Sequence, residues 1–417
     1  MKINSTIILL FTSLLIIESC SNSNKPKTQF LKFPISIDVN LGKATIDSGN
    51  LSDIAERVEY IPLQTTDSAF LNYFYDYTIT RDYFFIRDDI RLLEFDKKGI
   101  FRKNLFKNGR GPGETSAGSF AVDDTRKLIY VLDVYKGDIK VYYYDGKYIK
   151  TINKPINSSD QRTASIGYFN NSLFVTTIQF PMVRYLFSCF DLIKDSIRIV
   201  QNNYYKYDKI QEKKYPSLIY STNQSFQVCD SVLLFKEWLS DTIFSLNNNL
   251  IKAPKYIIGL GNNKLNWEGW RDHGMFNLAG GPPLGYWIDS FVEAKSFIFF
   301  VFSSFKEPRL FAIFNKETGS VKVLANKYYD PRANNQIYLK NDLDNIIAFP
   351  LMSKTVGTIF YFDNCLYSII ESKDFAKAYT SVSVKSKRAT KYLRDMAPVF
   401  GKIDEFSNPV IMKVHLK

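Results

Sequence analysis

Leu92-Leu93-Glu94-Phe95-Asp96-Lys97-Lys98-Gly99-Ile100-Phe101-Arg102-Lys103 and Lys140-Val141-Tyr142-Tyr143-Tyr144-Asp145-Gly146-Lys147-Tyr148-Ile149-Lys150 read as two copies of one unit, with Gly146 placed 47 residues after Gly99. Each is an apolar strand, an Asp/Gly turn and a second strand: a hairpin whose glycine supplies the positive φ of a tight turn. Looser copies occupy Phe187–Val200, Asp241–Gly259, Leu310–Leu324 and Thr358–Ile370. A further pair of strands precedes each hairpin, as Ser119–Asp123 and Lys127–Asp133 precede the second. Four strands in every repeat of roughly 45 to 60 residues is the period of a β-propeller blade, with the hairpin as the outer pair. Six copies predict an all-β, six-bladed propeller, and the irregular spacing leaves seven blades as the alternative. An open ring would leave an unpaired edge, so a strand is needed to close it. Val58–Leu63, ahead of the first copy, and Pro409–Leu416, at the chain end, are the two candidates, one of which completes the last blade. Residues 386–399 predict a short helix before the terminal strand, and this helix would carry the one local basic cluster, Lys385 to Arg388 with Lys391 and Arg394.

Ahead of the propeller (35–417) lie a leader (1–19) and a polar tether (20–34). Lys2 is followed by the apolar run Ile7–Ile17, too short to span a bilayer as a mature helix but of the length of a signal-peptide core. Ile17-Glu18-Ser19-Cys20 resembles the bacterial lipobox, and the resemblance implies cleavage before Cys20 and lipid attachment to it; Glu18 departs from the usual small or apolar residue. The membrane is thus one expected partner. The tether has no acidic residue just after Cys20, which favours an outer-membrane anchor facing the periplasm, with cell-surface display as the alternative. Elsewhere, Ile288–Phe305 comes nearest to a membrane span, but Asp289, Glu293 and Lys295 interrupt it.

The net charge is +12, spread along the chain. In an exported protein this suits a solvated surface, or attraction to anionic lipid or acidic glycans, rather than nucleic acid. Cys189, Cys229 and Cys365 are an odd set without CxxC spacing, expected as buried free thiols, with a Cys189–Cys229 bridge as the alternative.

The chain resembles the six-bladed β-propeller lipoproteins of Bacteroidetes, a group related to NHL-repeat propellers. The residues that carry the resemblance are Leu51-Ser52-Asp53-Ile54 leading to Val58–Leu63, Gly109-Arg110-Gly111-Pro112-Gly113-Glu114, and Ser240–Phe244 with Pro254-Lys255-Tyr256. Asn341-Asp342-Leu343-Asp344 and Asn408-Pro409-Val410 continue the series in the expected order. The resemblance implies the fold; it implies no common activity.

Two segments stand out as candidate ligand sites. Lys107–Glu114 has three glycines around a proline, so its backbone can approach a ligand, with Arg110 and Glu114 as charged hands; the structural alternative is a rigid turn in which the two pair. Trp267, Trp270, Arg271, His273 and Trp287 lie in or beside the long connection after the fourth hairpin. Indoles beside Arg and His suit a sugar ring or a peptide, and the alternative is packing over the propeller face. Only two histidines occur, so a His-based zinc site or a Ser-His-Asp triad has little to draw on, and no cofactor is expected. Asp88-Asp89, Asp123-Asp124 and Asn341–Asp344 could offer oxygens to Ca²⁺, though turn chemistry accounts for them better. The expected function is non-catalytic binding of a glycan, peptide or envelope protein. The alternatives are a glycan lyase or hydrolase, and a structural subunit of an envelope complex.

Overall fold

A computed structural model describes residues 33–41, 49–72, 74, 76–133, 136–153, 163–177, 185–202, 226–229, 231–237, 239–265, 285–304, 307–325, 337–351, 359–381 and 391–417. After β1 (Ile35–Asp38) and β2 (Ala55–Pro62), blade one is β3 (Asp76–Ile79), β4 (Tyr83–Asp88), β5 (Arg91–Asp96) and β6 (Phe101–Asn104). Blade two is β7 (Ala117–Asp123), β8 (Leu128–Asp133), β9 (Ile139–Tyr143) and β10 (Tyr148–Ile152). Blade three is β11 (Thr163–Phe169), β12 (Ser172–Thr177), β13 (Tyr185–Asp191) and β14 (Ser196–Asn202). Blade four is β15 (Phe226–Cys229), β16 (Val232–Lys236), β17 (Thr242–Leu246) and β18 (Lys252–Gly259). Blade five is β19 (Trp287–Glu293), β20 (Phe297–Ser303), β21 (Leu310–Asn315) and β22 (Val321–Ala325). A small hairpin, β23 (Tyr338–Leu339) and β24 (Phe349–Pro350), precedes β25 (Phe360–Phe362), β26 (Cys365–Ile370), helices α1 (Ser372–Ser381) and α2 (Lys391–Phe400), and β27 (Val410–Leu416).

Blades one to five are antiparallel sheets in chain order, and the first strands of blades four, five, six, one, two and three succeed one another in contact around the axis. Six blades form, not seven. The reason for the near-continuous apolar runs lies in the seams. Successive side chains of a strand point to opposite faces, and both faces of a blade are covered by neighbours. Phe84 and Ile86 of β4 join the core shared with blade six, whereas Phe85 between them joins the core shared with blade two. Six such cores, one per seam, close the ring. In the β19–β20 hairpin, the stretch that comes nearest in sequence to a membrane span, every residue of β20 is buried. No helix among the described residues is long and apolar enough to cross a membrane.

Blade six corrects the expected closure in two ways. Its order is β25-β26-β27-β2, so the sixth hairpin supplies the inner pair, not the outer one. Both terminal candidates then complete it. β27 pairs with β26 from Cys365↔His415 to Ile370↔Val410, and β2 pairs with β27 from Ala55↔Leu416 to Pro62↔Val410. An outer strand presents unpaired backbone groups, and α2 meets some of them: Tyr60 N–H donates to Tyr392 Oη (2.8 Å), and Tyr392 O–H donates to Tyr60 O (2.7 Å). Phe375 of α1, a helix the sequence pattern did not suggest, packs its ring 5.2 Å from that of Tyr60. Arg394 is exposed on α2, which begins at Lys391; Lys385–Arg388 lie outside the described residues.

The segment before β2 is a strap. β1 adds to the outer edge of blade four as a fifth strand, parallel to β18 (Ile35↔Tyr256 to Asp38↔Gly259). Further on, Leu51 N–H donates to Lys340 O, and Asp53 meets Lys322 on the outer strand of blade five at 2.9 Å.

Candidate functional site

The topology sorts the loops. Every first strand begins, and every second strand ends, at the same mouth of the ring. The second strands end there at Asp88, Asp133, Thr177, Lys236, Ser303 and Ile370. The opposite mouth receives the turns between first and second strands, such as Asn170-Asn171 and Asp363-Asn364, whose positive φ values suit Asn and Asp. The described ends of the connections between blades, and helices α1 and α2 between β26 and β27, therefore lie toward the first mouth. The glycine loop lies in one of them, and Trp287 opens the first strand of blade five there.

This mouth holds buried charge. Asp88 pairs with Arg91, which also donates to Phe70 O at 2.6 Å. One blade on, Asp133 accepts from Lys136 N–H (2.9 Å) and from Thr115 Oγ (3.1 Å), tying the end of the glycine loop to the inner hairpin of blade two. Asp76, half-buried at the start of β3, has its pKa raised to about 6 by desolvation against the opposing field of Arg87. Lys236 is fully buried. Desolvation lowers its pKa to about 8 despite Asp289 and Glu237, and its ammonium donates to Glu237 O at 2.7 Å. Lys252 in turn pairs with Glu237 at 2.6 Å. None of Asp76, Asp133 and Lys236 was singled out from sequence. A lone lysine ending the apolar run Val232-Leu233-Leu234-Phe235 was the available signal.

In the glycine loop, Glu114 is a brace. Gly111 N–H donates to Glu114 Oε2 (3.0 Å), and a Cβ on Gly109 would stand 2.2 Å from that oxygen, so the loop wraps the carboxylate only because it is glycine. Arg110 is exposed on the same loop. Trp287 is half-buried and opposite Ser303, a buried hydroxyl without a hydrogen-bond partner among the described residues. Trp267, Trp270, Arg271 and His273 lie outside the described residues. The flanks of that connection are pinned together, Leu265 N–H donating to Tyr286 O at 2.8 Å.

The Asp-rich pieces are turns. Asn341 Oδ1 accepts from Leu343 N–H and Asp344 N–H, while Asp344 accepts from Tyr60 O–H (3.0 Å) and Ile346 N–H (2.9 Å). Asp123 caps Thr125 and Arg126. Among the described residues no group of three His, Cys, Asp or Glu comes together to hold a metal ion.

Blade six brings together a nucleophile, a base and a carboxylate that sequence did not reveal. Cys365 Sγ lies 3.4 Å from His415 Nδ1, and His415 Nε2 lies 3.1 Å from Glu59 Oε1. The spacing suits an activated thiol, but the electrostatics oppose it. Burial pushes the Cys365 thiol up and the His415 imidazole down, so both are neutral near pH 7. A buried, protonated thiol is inert, and the line is a staple across β2, β27 and β26. Cys189, Cys229 and Cys365 form no disulfide; Cys189 and Cys365 are buried as expected, whereas Cys229 is only half-buried.

The family described as Domain of unknown function (DUF4934) matches residues 34–415. Among solved structures, a protein of Bacteroides fragilis named "Putative exported protein" superposes with a TM-score of 0.66 at 15% identity, covering 92% of this chain and 99% of that one. A member of the DUF4221 family from Bacteroides vulgatus gives a TM-score of 0.47 at 11% identity, covering 87% and 97%. No curated protein matches.

Proposed function

Taking as premise that the chain belongs to the family described as Domain of unknown function (DUF4934), we propose that it is an exported, lipid-anchored propeller of the bacterial envelope that binds a glycan, peptide or protein at one mouth of its ring. The observation that carries this reading is the asymmetry of the two mouths. One is built of tight turns. The other gathers the inter-blade connections, the helical insertion, Trp287 and a set of buried charges. Preorganised polar groups beside aromatic surface are the common chemistry of binding sites. Export and anchoring rest on the leader and on Cys20.

The native lipoprotein, isolated from its own envelope, is expected to retain a glycan or partner that the Trp267→Ala/Trp270→Ala/Trp287→Ala variant loses; unchanged retention removes the aromatic mouth from the account. A stoichiometric protein on both would favour a structural subunit. Separately, Cys20→Ser protein is expected to leave the membrane fraction on high-salt washing, and persistence there would refute the lipid anchor.

A further inference from the structure

A cavity of about 540 Å³ lies away from the axis, at the outer seam between blades one and two. Its walls include Asn104 and Phe106 at the end of β6, Lys107, Gly113 and Glu114 of the glycine loop, and Gly146 of the β9–β10 turn. The frame is rigid. Gly146 takes φ +90° and leaves no room for a Cβ, which would stand 2.7 Å from Leu105 O; Gly113 takes φ +73° with the Tyr148 side chain against it. Phe106 stacks on Tyr142 with ring centroids 5.2 Å apart, and Tyr142 O–H donates to Gly113 O. Thr115 N–H donates back to Lys107 O, closing the loop.

Within this frame three polar groups keep unspent capacity. The Lys107 ammonium, the Asn104 amide and the second oxygen of Glu114 make no hydrogen bond or ion pair among the described residues. An apolar ligand would desolvate all three without replacing their bonds to water. The lining carries one cation, Lys107, and one anion, Glu114, so together they select for a ligand of no net charge. A neutral polyol satisfies all three, since each hydroxyl both donates and accepts. The volume falls in the range of small-molecule sites.

We propose that this seam cavity binds an uncharged saccharide unit, as a site distinct from the one around Trp287, although the glycine loop that lines it belongs to the same mouth. The test is titration of the full mature chain with a panel of neutral and acidic mono- and disaccharides, by calorimetry and saturation-transfer NMR, at low and high salt. At least one neutral sugar is expected to bind with an affinity that salt leaves unchanged. Lys107→Ala should weaken it at least about tenfold and Asn104→Ala at least about fivefold, the scale of one lost hydrogen bond. Both side chains are exposed, so the thermal midpoint should not move; Lys194→Ala, on an exposed turn of blade three, should bind as the parent does. The proposal is overturned if no neutral sugar binds, if only acidic sugars bind and salt abolishes it, or if both cavity variants bind unchanged.

Discussion

A chain begun at Leu63, lacking β2, is expected to show no cooperative thermal transition and to remain largely insoluble. β2 is the outer strand of the closing blade, and its loss bares β27 along the whole register from Ala55↔Leu416 to Pro62↔Val410. Val58 and Tyr60 leave the core of the blade five–six seam, and Phe375 and Phe400 lose the ring they pack against. Asp344, whose pKa burial already raises, and Asn341 lose the Tyr60 hydroxyl. Two large side chains at ~1.5–3 kcal/mol each, together with orphaned buried polar groups at ~1–3 kcal/mol each, approach the whole stability of a typical domain. A chain begun at Gly49 makes the contrast. It loses β1, with Ile37, Val39 and Leu41 from the blade four–five seam, but the ring stays closed. Its midpoint should fall while the transition stays cooperative. Near-UV circular dichroism on heating separates the two outcomes; a cooperative transition in the chain begun at Leu63 would show that β2 is not the closing strand.

Lys236→Met is expected to stabilise the protein at neutral pH. The ammonium is fully buried, with its pKa lowered from 10.5 to about 8 by desolvation. Between pH 8 and 10.5 the unfolded chain holds this proton and the folded chain does not, so wild-type stability rises with pH across that window. Below pH 8 the folded state bears the full cost of the buried charge, on the order of 3 kcal/mol at 1.36 kcal/mol per pKa unit. Methionine matches the length of the stem without the charge; the attraction of Asp289 and Glu237 that it gives up is already contained in the lowered pKa, in which desolvation outweighs it. Denaturant titration should find Lys236→Met more stable at pH 7 by about 2–3 kcal/mol, with the advantage shrinking toward pH 10.5. A variant less stable at pH 7 would mean that the field of Asp289 and Glu237 outweighs desolvation.

The hairpins were legible because their signals are local. In Asp96-Lys97-Lys98-Gly99 the Asp96 carboxylate accepts from Lys98 N–H and Ile100 N–H, and Gly99 takes φ +80°; each requirement lies within a few residues of its cause. The free cysteines and the terminal helix followed from equally local patterns. Several features were not legible. Val58–Leu63 and Pro409–Leu416 were both visible as strands, but their joint entry into one blade pairs residues more than three hundred positions apart, and no local pattern encodes it. Likewise Cys365, His415 and Glu59 meet only because β26, β27 and β2 lie side by side.

What the chain determined unaided is the repeat: alternating and continuous apolar strands, the turns between them, and hence a ring of six or seven such units. What tertiary structure alone decided is the closure by both ends, the gathering of loops and buried charge at one mouth, and the chemical state of Lys236, Asp76 and Cys365. The physical reason is range. Turn geometry and strand patterning are set by neighbours in sequence, whereas desolvation and ring closure are set by neighbours in space, which come from other blades.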